Sequence, residues 1–196
     1  MYLYTSNGLR WCQPDKHGET AHDDVGPCRV LLLGEDNPQS AAPEHALYDY
    51  PPGCAGNRLR ADILGISSND YLAIWRTNLC CPSWSLPAAR KRWAELAFSE
   101  GVPWNTIVLL GSKVAKATDY PVQAIGSFST CRVTREPDRT TWDMLRDRRP
   151  FDGLRVIYLP HPSGRNLVWN FPNNKTLARE ILAECVPEIR WGSELD

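Results

Sequence analysis

The chain has 196 residues, 42% of them hydrophobic and 23% charged, with a formal net charge of −1. That size and balance suit a single globular domain with its own core and exclude a disordered or low-complexity chain. No apolar run approaches the roughly 18 residues that a bilayer span requires, and a charge so near zero argues against an overall polyanion binder.

The average charge hides an asymmetry. Residues 1–49 carry three basic side chains (Arg10, Lys16 and Arg29) and eight acidic ones, which leaves 19 of the 22 basic and 15 of the 23 acidic residues beyond them. The basic excess is concentrated at Arg90-Lys91-Arg92 and in the run from Arg146 to Arg149. Either cluster suits a solvated helix face, and together they suffice to contact a few phosphates. The opening residues Met1 to Ser6 lack the basic flank and apolar stretch of a signal peptide, so the expectation is an intracellular protein. In that compartment the seven cysteines are expected as thiols rather than as a disulfide frame.

In chain order, residues 1–28 read as an irregular N-terminal extension packed on the domain, and residues 29–196 as one domain. Val30–Leu33 is a short continuous apolar run, as expected of a central parallel strand. Residues 35–57 form a long Pro-, Ala- and Gly-containing loop, a length that inside a compact domain usually serves function. The pattern then predicts a helix over Arg58–Leu64 stopped by Gly65, and a second strand over Tyr71–Leu79. A helix from Pro87 to Glu100 follows, then a third strand over Thr106–Leu110. Gly111-Ser112 opens a helix through Ala117. Phe128–Val133 reads as a peripheral strand, Asp138–Arg149 as a helix and Arg155–Leu159 as the last core strand. A C-terminal helix over Thr176–Cys185 follows a break at Pro172-Asn173-Asn174. This alternation predicts a three-layer α/β/α sandwich with a mostly parallel central sheet.

Two strand ends carry the chemistry. The first runs Leu33-Gly34-Glu35-Asp36-Asn37-Pro38 and the second Leu159-Pro160-His161-Pro162-Ser163-Gly164-Arg165-Asn166. Loops at the carboxyl ends of parallel strands are where α/β folds gather ligands and reacting groups. If both strands lie in one sheet, a carboxylate and an amide face a histidine and a hydroxyl across one cleft.

These segments, with Gly56-Asn57-Arg58 opening the next helix, Thr77-Asn78-Leu79 and Ile107 to Gly111, resemble in order the motifs of the uracil-DNA glycosylase superfamily. The spacing is most similar to the mismatch-specific uracil/thymine branch, and the likeness spans residues 29–185. The resemblance implies a DNA glycosylase that flips a nucleotide into a cleft and hydrolyses the N-glycosidic bond of uracil or a related pyrimidine. It implies that Asp36 or Asn37 positions the attacking water, the two alternatives corresponding to two registers of the first motif. It implies that His161 donates to the departing base, that Asn78 reads the base edge, and that Tyr48 or Tyr50 stacks on it. Ser163, Gly164, Arg165 and Asn57 would serve the DNA backbone and the vacated base position.

The chain departs from the pattern in two places. Gln39 stands where a glycine usually follows the first motif's proline, and Arg165 stands where an apolar wedge is common. These departures keep open an enzyme of altered chemistry on the same fold, such as a base-modifying transferase, or a binder of a base or nucleotide that does not cleave it. Costly polar groups at a buried cleft favour the enzyme. No cofactor is expected. An iron–sulfur cluster would need Cys12, Cys28, Cys54 and one of the adjacent Cys80 and Cys81, and no zinc-type spacing is present. The expected partner is DNA, with no membrane association, and the expected state is a monomer.

Overall fold

The structure is a computed structural model that describes residues 3–5, 8–10, 29–37, 40, 45–97, 104–120, 129–132 and 155–192. Its strands are β1 (Leu3–Thr5), β2 (Gly8–Arg10), β3 (Val30–Gly34), β4 (Trp75–Asn78), β5 (Thr106–Leu110), β6 (Ser129–Arg132) and β7 (Arg155–Leu159). They form one sheet in the order β2-β1-β4-β3-β5-β7-β6. The inner four are parallel, with Leu33 level with Thr77 on one side and Leu109 on the other. The pairings of β1 with β4 and of β6 with β7 are antiparallel. Parallel strands buried on both faces need apolar residues throughout, which is why Val30–Leu33 and Ile107–Leu110 read as unbroken hydrophobic runs.

The alternating side chains feed two cores. Leu31, Leu33, Ile107, Leu109, Val156 and Tyr158 pack with Ala89, Trp93 and Leu96 of helix α3 (Leu86–Ala97) and with Val114, Ala115 and Ala117 of α4 (Ser112–Ala117). Val30, Leu32, Val108, Leu110, Ile157 and Leu159 face the opposite way. They meet α1 (Ala55–Asn57) with its π-helical continuation Arg58–Leu64, α2 (Ser68–Ala73) and α5 (Pro172–Cys185). The chain is therefore an α/β fold with helices on both faces of its sheet. Each fully buried aliphatic side chain contributes roughly 1.5–3 kcal/mol, so the two cores are the fold's main source of stability.

Several expectations change in detail. Tyr71 and Leu72 are helical rather than the start of a strand. Ser67 accepts the backbone N–H of Asp70 at 3.0 Å and begins α2, and the strand starts only at Trp75. Pro172-Asn173-Asn174 is the first turn of α5, not a break before it, a position where proline's missing N–H costs nothing. Within the N-terminal extension, residues 3–5 and 8–10 pair as a hairpin on the open edge of β4. Pro38 and Gln39 of the first motif, Cys12, Cys28 and the helix expected over Asp138–Arg149 lie outside the described residues. Among the described residues no helix is long and apolar enough to cross a membrane.

Candidate active site

Chain order places β3 between β4 and β5, so the connections leaving β3 and β4 diverge to opposite sides of the sheet. At such a switch point the carboxyl ends of neighbouring strands part and leave a crevice. A cavity of about 630 Å³ opens there, lined by Glu35, Asp36 and Asn37 after β3, Asn78 at the end of β4 and His161 after β7, together with Ser40, His45, Leu47, Tyr48, Tyr50 and Cys54 to Gly56. Six residues expected from the sequence (Asp36, Asn37, Tyr48, Tyr50, Asn78 and His161) thus share one cleft.

His161 is held in a defined state. The backbone N–H of Ser163 donates to His161 Nδ1 at 3.1 Å. A backbone amide can only donate, so a neutral ring carries its proton on Nε2 and offers that N–H as a donor. Burial pushes the imidazole below its ordinary pKa, partly countered by Glu35, with Lys113 lowering it further and Asp36 raising it. The peptide oxygen of His161 accepts from Asn166 Nδ2 and Trp169 Nε1, both at 3.2 Å. Three neighbours therefore fix the ring and its backbone before any ligand arrives.

Asn78 faces the cleft with an unusual deficit: its Oδ1 is buried and has no hydrogen-bond partner among the described residues. An unpaired buried acceptor costs about 1–3 kcal/mol, and such a group lining a cavity is suited to a ligand's N–H. Its seat depends on Gly34, where an added Cβ would fall on Asn78 Oδ1. Glycine at the end of β3 is thus the space into which the Asn78 amide packs.

Glu35, which neither motif assigns a role, also stands among the cleft's charged groups. Its carboxylate is only 13% exposed and pairs with Lys113 Nζ at 3.0 Å. Gly111, at φ +98°, separates Glu35 from His161: a Cβ there would sit 2.8 Å from Glu35 Oε1 and 3.1 Å from His161 Cβ. The hydrogen bond that Lys113 donates to Glu35 raises the Lys113 pKa, and Lys113 also lies over the Trp84 ring at 5.6 Å. A signal for Glu35 existed in the sequence. It stands between a strand-ending glycine and Asp36, and Gly111-Ser112-Lys113 occupies the matching turn after β5.

Asp36 accepts no hydrogen bond among the described residues and is half-buried on the cleft wall, so its carboxylate is available to a water or a cation. Asn37 is used differently: its Nδ2 donates to the His45 carbonyl at 3.1 Å and braces the loop. Tyr48 and Tyr50 are exposed on the cleft margin, at 42% and 68%. The loop beneath them is anchored by Tyr71, whose hydroxyl donates to the Leu47 carbonyl at 2.7 Å. Leu47 itself has φ +52°, a backbone cost of order 1 kcal/mol that the surrounding bonds must offset. At Gly56 an added Cβ would meet the carbonyl oxygens of Leu47 and Tyr48, so the glycine of Gly56-Asn57-Arg58 lets the helix start lie against this loop.

Four expected site residues are not part of the cleft wall. Asn57 is occupied within its own loop, its Oδ1 accepting from Gly53 N–H at 3.0 Å and its Nδ2 donating to the Asp49 carbonyl at 3.1 Å. Ser163 contributes its backbone to His161. Gly164 and Arg165 are exposed on the loop beyond it, and a Cβ at Gly164 would lie 2.8 Å from an Arg58 guanidinium nitrogen. Among the described residues no group of three or more His, Cys, Asp or Glu is gathered as a metal site. Cys54 caps α1 instead, its Sγ accepting from Asn57 N–H at 3.4 Å and donating to the Tyr48 carbonyl at 3.2 Å. No family model, curated protein or solved structure matches the chain.

Proposed function

We propose that this protein is a DNA glycosylase that hydrolyses the N-glycosidic bond of uracil or a related pyrimidine, on a uracil-DNA glycosylase-like sandwich. The observation that carries the proposal is the convergence of Asp36, Asn78 and a neutral, Nε2-protonated His161 on one cleft at the carboxyl ends of three parallel strands. Cleavage breaks the bond from the sugar carbon to the base nitrogen, with the electron pair leaving on the base. The sugar gains positive character while the base gains negative charge, so the site must serve both at once.

The residues divide between these tasks. His161 Nε2–H donates to the base oxygen on which charge accumulates, and the ring's burial makes that donor count for more than in open water. Asp36 opposes the sugar's positive charge and takes a proton from the water that bonds to the sugar carbon. Asn78 offers its unpaired Oδ1 to a ring N–H of the base. That contact relieves a buried deficit in the free protein, so it rewards a pyrimidine carrying the matching donor. Tyr48 and Tyr50 supply ring faces for a base swung out of its stack. Asn37, already spent on the loop, suits water positioning less well than Asp36.

The test is an alkaline-cleavage gel assay on labelled single-stranded, U·A, U·G, T·G and 5-hydroxymethyluracil oligonucleotides. Abasic product is expected from at least one of them, falling about 10²–10³-fold in His161→Ala, the usual scale for loss of one such donor. A larger fall in Asp36→Ala than in Asn37→Ala assigns the water to Asp36. Folded protein that yields no abasic product from any of these substrates overturns the proposal.

A further inference from the structure

The cleft holds two adjacent acidic residues, Glu35 and Asp36, next to an imidazole that the proposed chemistry requires neutral. A carboxylate within a few ångströms of a histidine normally favours the imidazolium. We infer that Lys113 is a positioning residue for this cleft: by holding Glu35 in an ion pair, it offsets the carboxylate that faces His161 across Gly111 and leaves that ring a neutral hydrogen-bond donor. The role of the neutral ring rests on the glycosylase reading; the charge arrangement does not.

Geometry supports the assignment from three sides. Lys113 lies in the first turn of α4, immediately after the Gly111 turn that ends β5, so its ammonium reaches Glu35 without crossing the cleft. Position 111, between Glu35 and His161, suits glycine, because its φ is +98° and a Cβ would press on both. Trp84 covers the ammonium's other side at 5.6 Å, which limits where Lys113 can wander. The charged groups that act on the His161 ring are Glu35 and Asp36 from the end of β3 and Lys113 from α4. The titratable Tyr158, on the strand that leads to His161, is kept protonated by burial and by Glu35, and His45, Tyr48, Tyr50 and Cys54 complete the titratable lining.

This arrangement makes a prediction that a merely structural ion pair does not. Breaking a structural pair at either end should perturb the site in the same direction. Here the two ends act oppositely on His161. Lys113→Met leaves Glu35 unbalanced beside the ring and raises the His161 pKa. Glu35→Gln removes the carboxylate, leaves the ammonium, and lowers it. The double variant Glu35→Gln/Lys113→Met removes both and returns the ring close to its wild-type value.

The experiment is a proton–carbon NMR titration of the His161 ring in labelled protein, assigned by comparison with His161→Gln. The expected result is a shift upward by about one pH unit in Lys113→Met, the lower end of what a charge at this range produces. A downward shift is expected in Glu35→Gln, near-recovery in the double variant, and wild-type behaviour in Lys113→Arg, which keeps the charge. Lys113 is 53% exposed, so its replacement leaves the core untouched. Shifts in the same direction for both single variants, or no shift in Lys113→Met, overturn the inference. The readout needs no turnover, so it stands or falls separately from the glycosylase assay. Where turnover is seen, the acid limb of kcat/KM should move to higher pH in Lys113→Met and be restored in Lys113→Arg.

Discussion

Gly34→Ala tests how the end of β3 and the Asn78 amide share space. A Cβ at Gly34 would fall on Asn78 Oδ1 and lie 3.1 Å from Leu47 Cδ2 and 3.2 Å from Leu47 Cγ. Leu47 is poorly able to retreat, because its carbonyl is tied to Tyr71 and its backbone is in the left-handed region. Asn78 is therefore the piece that moves. Overpacking of this kind costs about 1–3 kcal/mol, and the displaced amide leaves the cleft. Asn78→Ala alone removes a buried unpaired acceptor whose burial costs about 1–3 kcal/mol, roughly offsetting the packing it loses. Its net effect on stability is expected to stay within about 1 kcal/mol. In the double variant the new methyl occupies the vacated space, so most of the Gly34→Ala cost disappears. Urea denaturation of the four proteins gives the cycle directly, with an expected coupling of about 1–2 kcal/mol. Additive single effects, within about 0.3–0.5 kcal/mol, would refute the packing argument and the seat it assigns to Asn78.

Two further expectations concern the loop and the histidine. Tyr71→Phe deletes a buried hydroxyl and leaves the Leu47 carbonyl unpaired; a loss of about 1–2 kcal/mol and faster proteolysis within residues 45–54 are expected, and unchanged values of both would show that the loop is held elsewhere. His161 has a pKa depressed by burial in the folded chain. As pH falls below the ordinary histidine value of about 6.5, the unfolded chain takes up a proton that the folded chain resists, so stability declines on acidification until the folded pKa is passed. Urea midpoints for wild type and His161→Gln between pH 7 and 5 should diverge on that slope, and parallel curves would remove His161 as its source.

The parts of the fold that were legible in the sequence are those set by local periodicity. Continuous apolar runs announced β3, β5 and β7, and glycines marked the ends of the α1 continuation and of β5. The run from Tyr71 to Leu79 misled because its apolar spacing fits a strand, while the Ser67–Asp70 cap that begins α2 is a weaker local signal. Pro172 reads as a break because proline interrupts helices everywhere except in the first turn, where it stands here. Nor does periodicity reveal that residues 3–5 and 8–10 close the β4 edge, since strand pairing over some 70 residues of separation is a tertiary matter.

The same distinction explains the site. Asp36, Asn78 and His161 were legible because each stands at the end of a strand whose neighbours the sequence also marks. What a side chain does there depends on contacts that the motif does not contain. Asn37 and Asn57 carry the same amide as Asn78, yet both are consumed by loop carbonyls at 3.1 Å, whereas Asn78 keeps a buried oxygen unpaired among the described residues. Glu35 is the converse case. Its neighbours in sequence suggest a solvated acidic loop, and only the turn at Gly111 brings Lys113 to it. The Glu35 charge is therefore offset by a residue nearly 80 positions away, and an account built on the two motifs alone would assign His161 one carboxylate too many. On the proposed reading, that balance joins burial and the Ser163 N–H in keeping the imidazole a neutral donor.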